Sequence, residues 1–193
     1  EGSRNAEAAR RLKRIRVLFL HYGGGIGGAP VSMLQLAQAL NPERYEPIVY
    51  FTQPGPILGF AEEMGVAAAV CPMGSVFSYG AHVPIRARTL IPFLLHFRST
   101  SRATQLLIRA ERPDLVHLNT SVLMPAALGV KREGIPLVWH IREVAGPNRW
   151  IRRWQLGTIH RLADHVVTNS DYVRQEFGQD PKVTTIHNSV DRR

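Results

Sequence analysis

The sequence predicts an α/β protein built on a doubly wound, mostly parallel sheet of about seven strands with helices on both faces. Three observations lead there. Short β-type runs alternate with longer helical patterns almost throughout the 193 residues. Several of those short runs are continuously apolar rather than alternating, as strands covered on both faces are. The first of them, Ile15 to Leu20, runs through His21 and Tyr22 into Gly23, Gly24, Gly25, Gly27 and Gly28, and Pro30 then opens a helical pattern. Strand–helix alternation of this kind is satisfied by right-handed crossovers between parallel strands.

Taken in order, the strands are expected near Ile15–Leu20, Glu46–Phe51, Val66–Cys71, Leu115–Leu118, Leu137–Ile141, His165–Thr168 and Val183–Ile186. The helical patterns between them cover Pro30–Leu40, Ile57–Met64, Ile85–Ala110, Val122–Glu133, Trp150–Leu162 and Tyr172–Phe177. Pro30 suits a first helical position, where its missing N–H costs nothing. Pro92 and the polar run Ser99-Thr100-Ser101 are expected to kink or split the third helix. Asn169-Ser170-Asp171 reads as an N-cap for the last one.

Bulk properties narrow the function classes. With 45% hydrophobic and 20% charged residues, the chain buries a sizeable core in one large domain. A net charge of +9 predicts an acidic partner such as nucleic acid, an anionic membrane surface or a phosphorylated substrate. The single cysteine, Cys71, excludes an internal disulfide and fits a reducing compartment. Its neighbours make it a structural thiol. No apolar run approaches the roughly 20 residues that span a bilayer. Residues 1–14 read as a basic leading helix or an added extension, residues 15–187 as the folded domain. The expectation is a soluble, cytoplasmic domain.

Ligands in such a sheet bind beyond the carboxyl ends of the strands, near the point where strand order reverses. The residues at those ends are His21 with the glycine loop, then Asn119, Thr120 and Ser121, then His140, Arg142 and Glu143, then Asn169, then Asn188 with Ser189. Each alone fits a turn or a cap; together they outline a cleft. Glycine lets another molecule approach the main chain, and a helix N-terminus favours an anion. Gly25, Gly27 and Gly28 therefore read as a phosphate-facing loop. His140 can donate, accept or shuttle a proton, and Arg142 offers a fork for phosphate or carboxylate. His117 reads as a core histidine. His82, His96 and His160 read as loop or helix-surface residues, and no pair has metal-ligand spacing.

Gly23, Gly25 and Gly28 also satisfy the dinucleotide-binding pattern G-x-G-x-x-G. Against it, the helix is expected to begin after all the glycines, and the second strand ends Tyr50-Phe51-Thr52-Gln53 without the acid that would hold a ribose. No Gly-Lys-Ser/Thr follows, so a P-loop fails too. Positive charge concentrates in two segments. Ile85–Arg112 interleaves Arg86, Arg88, Arg98, Arg102, Arg109 and Arg112 with leucine, isoleucine and phenylalanine. The other is Arg149-Trp150-Ile151-Arg152-Arg153-Trp154. Basic amphipathic helices with aromatic residues suit a membrane surface. No motif supports nucleic-acid binding.

From Ile15 onward the chain resembles the N-terminal half of retaining, GT-B-type glycosyltransferases of family 4. The resemblance rests on Gly27-Gly28-Ala29 with Leu36 to Leu40, on Pro113-Asp114-Leu115-Val116-His117-Leu118-Asn119, and on Pro136 to His140. It extends through Ala163 to Ser170 with Val173 and Arg174, and through Ile186-His187-Asn188-Ser189-Val190-Asp191. His140-Ile141-Arg142-Glu143 resembles the subgroup that builds surface polysaccharides. Pro30 stands where the family commonly has an acid, and Ser189 where its hinge has glycine.

This resemblance implies a Rossmann-like domain, one half of a GT-B fold, with residues 188–193 starting the hinge to a donor domain. It implies an acceptor-binding role in a hexosyltransferase-like enzyme that uses a nucleotide-sugar donor and a glycan or lipid-linked acceptor. His140 would be catalytic, Gly25, Gly27 and Gly28 would face the donor, and His21, Asn119, Thr120, Ser121, Arg142, Glu143 and Asn169 would contact the acceptor or line the cleft. It implies no metal, no cofactor, no nucleic acid, and no turnover by this half alone. A peripheral position on the inner face of the cell membrane would suit such an acceptor. The alternative is a non-catalytic basic α/β module that binds an anionic surface or partner.

Overall fold

The computed structural model of the protein describes residues 13–74 and 87–187. Seven strands form one sheet in the order β3-β2-β1-β4-β5-β6-β7, with every neighbouring pair parallel. They are β1 (Ile15–His21), β2 (Tyr45–Phe51), β3 (Ala68–Val70), β4 (Leu115–Asn119), β5 (Leu137–Ile141), β6 (His165–Thr168) and β7 (Val183–Thr185). The helices are α1 (Gly28–Ala39), α2 (Ile57–Glu63), α3 (Ala87–Glu111), α4 (Met124–Glu133), α5 (Arg149–Leu162) and α6 (Asp171–Arg174), the last running into a short 3₁₀ turn at Gln175–Phe177. Strand order reverses between β1 and β4, which makes their carboxyl ends the switch point.

Period-two alternation along the strands feeds two cores. Val17 and Phe19 of β1 with Val49 and Phe51 of β2 pack under Met33, Leu34 and Ala37 of α1 and Ile57 and Ala61 of α2. On the other face, Leu18, Leu20, Val116, Leu118, Leu137, Trp139 and Val166 meet α3, α4, α5 and α6 through Phe93, Ile108, Ala127, Val130, Ile159 and Val173. Fully burying a leucine or phenylalanine side chain is worth about 1.5–3 kcal/mol, so the alternation itself sets which residues face which layer. Pro47 sits within β2, yet β3 pairs only with Val49 to Phe51. The proline therefore lies on a free stretch of edge, where a missing N–H breaks no ladder.

The fold class expected from sequence is the fold observed, and all seven strands lie where expected to within a few residues. Four details differ. Helix α1 begins at Gly28 rather than Pro30, with Gly27 as its N-cap. Pro30 is its third residue, still within the first turn whose amides need no intrahelical partner. This removes one of the two arguments made against a dinucleotide loop; the absence of an acid at the end of β2 remains. Helix α3 runs unbroken over 25 residues with Pro92 inside. Thr100, Ser101 and Thr104 are buried there against α4, and an added Cβ at Gly129 of α4 would collide with the Ser101 carbonyl. Close packing against a neighbour holds together a segment that local propensity would have split. Helix α4 starts at Met124 rather than Val122, and β3 is three residues rather than six. Ser170 caps α6, its hydroxyl accepting from the Val173 amide at 3.3 Å. Residues 1–12, His82, Arg86 and the hinge residues Asn188, Ser189 and Asp191 lie outside the described residues.

Candidate functional site

Strand register places three of the predicted side chains in one row. His21 of β1 pairs beside Asn119 of β4, which pairs beside His140 of β5. All three therefore point to the face covered by α1, at the carboxyl end of the sheet. Asn119 is fully buried and ties the row together. Its Nδ2 donates to the Ala29 carbonyl at 3.0 Å and stands 2.9 Å from His21 Nδ1. Its Oδ1 accepts from Arg142 Nε at 2.9 Å. Arg142 Nη2 then donates to Ser32 Oγ of α1 at 3.2 Å and lies 3.4 Å from His140 Nδ1. One amide and one guanidinium thus join the ends of β1, β4 and β5 to the first turns of α1.

Burial sets the charge state of this cluster. It lowers the pKa of His21 to about 4 and that of His140 to about 3, and the nearby Arg142 charge pushes both in the same direction. His117, one row below and fully enclosed, falls to about 4 for the same reason. Its ring lies edge-on to that of His140 with centroids 5.6 Å apart. All three imidazoles are neutral at physiological pH. A guanidinium has only donors, so His140 Nδ1 must accept and the ring proton sits on Nε2. That Nε2–H is buried and has no hydrogen-bond partner among the described residues.

The glycine loop has a different character. Gly23 adopts φ +88°, a left-handed conformation that favours glycine, while its amide donates to Thr52 Oγ1 at 2.9 Å. A Cβ at Gly24 would collide with the Pro54 carbonyl, so the loop lies backbone against backbone on the segment after β2. Beyond Gly24 the loop opens. Gly25, Gly27 and Gly28 are exposed, and a Cβ added to Gly25 or Gly28 would meet nothing within 4 Å. Helix α1 starts there without a side-chain cap or an acid in its first turn. Its N-terminal amides therefore offer an anion a favourable end.

Thr120, Ser121 and Glu143 are brought to the same edge but serve to fix the loop after β4. Thr120 has φ +108°, an outlier for a β-branched residue. Its carbonyl accepts from Trp139 Nε1 at 2.7 Å and its amide donates to the His140 carbonyl at 3.0 Å. Glu143 accepts from the Ser121 amide at 3.1 Å, clasping the β4 and β5 loops. Asn169 Nδ2 reaches the Arg142 carbonyl at 3.5 Å. Ser32, which accepts from Arg142, and Trp139, which holds Thr120, belong to this cluster although sequence reasoning did not single them out. For Ser32 the usable signal was its place in the helical turn after the glycines. A cavity of about 200 Å³ lies against this cluster, lined by Ser32, Gln35, His140, Arg142, Ile186 and His187. Cys71 is half-buried with its thiol pKa raised by burial. Among the described residues, no three His, Cys, Asp or Glu side chains gather as a metal site requires, and no helix is long and apolar enough to cross a membrane.

A family model described as Glycosyltransferase Family 4 matches residues 26–193. No curated protein matches the chain in sequence. Several solved structures share the fold. Anabaena Alr3699/HepE in complex with UDP is 18% identical with a TM-score of 0.66, over 92% of this chain and 45% of that one. Acinetobacter baumannii MurG is 16% identical with a TM-score of 0.62, over 92% and 47%. A glycosyltransferase from Rickettsia africae is 12% identical with a TM-score of 0.65, over 91% and 43%. The chain thus spans a little under half the length of these structures, and likeness at such identities speaks for the fold alone.

Proposed function

Because the chain belongs to glycosyltransferase family 4, we propose that it is the acceptor-binding, N-terminal half of a retaining enzyme that moves a sugar from a nucleotide-sugar donor to a glycan or lipid-linked acceptor. The observation that carries this reading is the convergence of Asn119 and Arg142, with His140 beside Arg142, on the first turns of α1 at the switch point of the sheet. Sugar transfer needs a cleft that excludes water, since water competes with the acceptor. It also needs donors aimed where charge develops on the departing diphosphate. The open amides from Gly25 to Gly28 and the neutral Nε2–H of His140 supply such donors without a charged acid. Arg142, fixed by Asn119 and Ser32, presents positive charge beside them. A metal-independent reaction fits this set, with the nucleotide held chiefly by a second domain. Structural neighbours crystallised with UDP and with UDP and glucose support a nucleotide-sugar donor. A polysaccharide or lipid-linked acceptor built at the inner face of the membrane suits the basic helices.

His140→Ala tests the reading in a protein that carries both halves, with this half alone as a control expected to give no transfer. A hydrogen bond to a charged group is worth about 1.5–3 kcal/mol. If it forms mainly in the transition state, single-turnover transfer should slow roughly ten- to two-hundred-fold, with a much smaller loss of folding stability. A variant with a lowered melting temperature but full activity in its folded fraction would make His140 a core residue and remove it from the mechanism.

A further inference from the structure

We propose that the carboxyl-edge halves of α3 and α5 form one docking surface for an anionic lipid bilayer, at the same end of the sheet as the site but on the face opposite α1. The inference rests on the lipid-linked acceptor proposed above, and it names the surface that would hold the carboxyl end of the sheet at the membrane carrying such an acceptor. Both helices leave the carboxyl ends of parallel strands, β3 and β5, and return toward the amino edge. Both pack on the same face of the sheet, Phe93 and Ile108 of α3 and Ile159 of α5 sharing one core with α4 between them. Their first halves therefore lie at one end of one face.

What those halves present to solvent is unusual. On α3, Ile91, Leu94 and Leu95 are 56%, 61% and 74% exposed, and their spacing makes one stripe on the side opposite the buried Phe93. On α5, Trp150 is 78% and Trp154 50% exposed, one turn apart. Exposed Arg149 and Arg153 follow the same spacing, and neither has an ion-pair or hydrogen-bond partner among the described residues. Arg152, by contrast, is paired with Glu176 at 3.0 Å. Helix α5 contains no acidic residue, and α3 has only Glu111 at its far end. Soluble domains rarely expose such an apolar patch without using it.

The occupant must satisfy both properties together. A soluble polyanion would pair with the arginines but give the isoleucine and leucines nothing. An apolar protein face would leave the arginines buried and unpaired. The interface of an anionic bilayer accepts aliphatic side chains, seats tryptophan at headgroup level and neutralises arginine.

The tryptophans provide the readout. The chain has three, and Trp139 is fully buried, so surface changes report on Trp150 and Trp154. The full chain is titrated at low salt with phosphatidylcholine vesicles containing 30% phosphatidylglycerol. Emission should shift to the blue and resist iodide quenching; pure phosphatidylcholine should give neither. R149Q/R153Q and, separately, L94S/L95S should each lower vesicle partitioning about tenfold or more, with melting temperatures unchanged. Binding with the tryptophans still quenched would place the contact elsewhere and overturn the proposal. So would an equal shift with heparin, a shift that grows with protein concentration alone, or no binding to anionic vesicles. Transfer to a water-soluble acceptor tests the catalytic reading separately and does not depend on this surface.

Discussion

Two neighbouring regions of the carboxyl edge are built on opposite plans. The row His21–Asn119–His140 with Arg142 is closed: its three sheet residues are buried, Arg142 is half-buried, and most of their polar groups are bonded to one another. The glycine stretch from Gly25 to Gly28 is open, exposed and without side chains. Buried polar networks are costly when incomplete and rigid when satisfied, so the first region sets positions. The second has few internal contacts to lose and leaves its main chain open to solvent. A transferase needs both, since amides at an open loop are useful only if a fixed neighbour aligns what binds there.

The comparison is broken most forcefully by pH. Folding keeps His21, His117 and His140 neutral, with pKa values near 4, 4 and 3 because burial disfavours the imidazolium. The unfolded chain takes up these protons below about pH 6.5, so it binds more protons than the folded state there. Stability is therefore intact above that pH and declines as pH falls toward the folded-state values. Three such groups amount to a loss on the order of 4–5 kcal/mol between pH 6.5 and 5. Thermal midpoints measured from pH 8 to pH 5 should drop steeply in that window. A flat profile would mean the histidines are not enclosed as described, and the closed region would lose its distinction.

Asn119→Ala strikes the same network at one point. It removes the acceptor of Arg142 Nε and the donor to the Ala29 carbonyl, all in a fully buried place. Neutral hydrogen bonds are worth about 1 kcal/mol and those to charged groups about 1.5–3, with more lost when a partner stays buried and unpaired. Urea unfolding should show a loss of about 3–4 kcal/mol. A loss under 1 kcal/mol would show that the row tolerates a gap and does not position anything.

Much of this architecture could be read in the sequence, and the limit has a physical form. β5 and β6 fall on the expected residues because continuous apolar runs, each ended by polar side chains, describe a strand covered on both faces. His140, Arg142 and Asn119 could be placed at strand ends for the same reason. That Arg142 reaches Ser32, 110 positions away, could not. It depends on inter-strand register and on which way each side chain leaves the sheet, and neither has a local signature. The left-handed Thr120 left no trace either, because Trp139 and the His140 carbonyl hold it from another strand. Pro92 misled for a related reason: the packing of α3 on α4 outweighs a local helix-breaking signal.

The smallest expected change in stability is also the sharpest test of the open region. At Gly25 an added methyl meets nothing within 4 Å, and no left-handed φ requires glycine there. Gly25→Ala should therefore leave stability within about 0.5 kcal/mol, or raise it slightly by restricting the unfolded chain. The methyl would project where a donor phosphate is proposed to approach the main chain. Loss of a single preorganised amide contact in such a site costs on the order of a hundredfold in rate. Transfer by the two-domain protein should fall by one to two orders of magnitude while urea midpoints stay fixed. The same substitution at Gly24 would disturb both, because its Cβ would strike Pro54. If Gly25→Ala left transfer untouched, the open stretch would be a surface loop, and only the closed row would remain as the site.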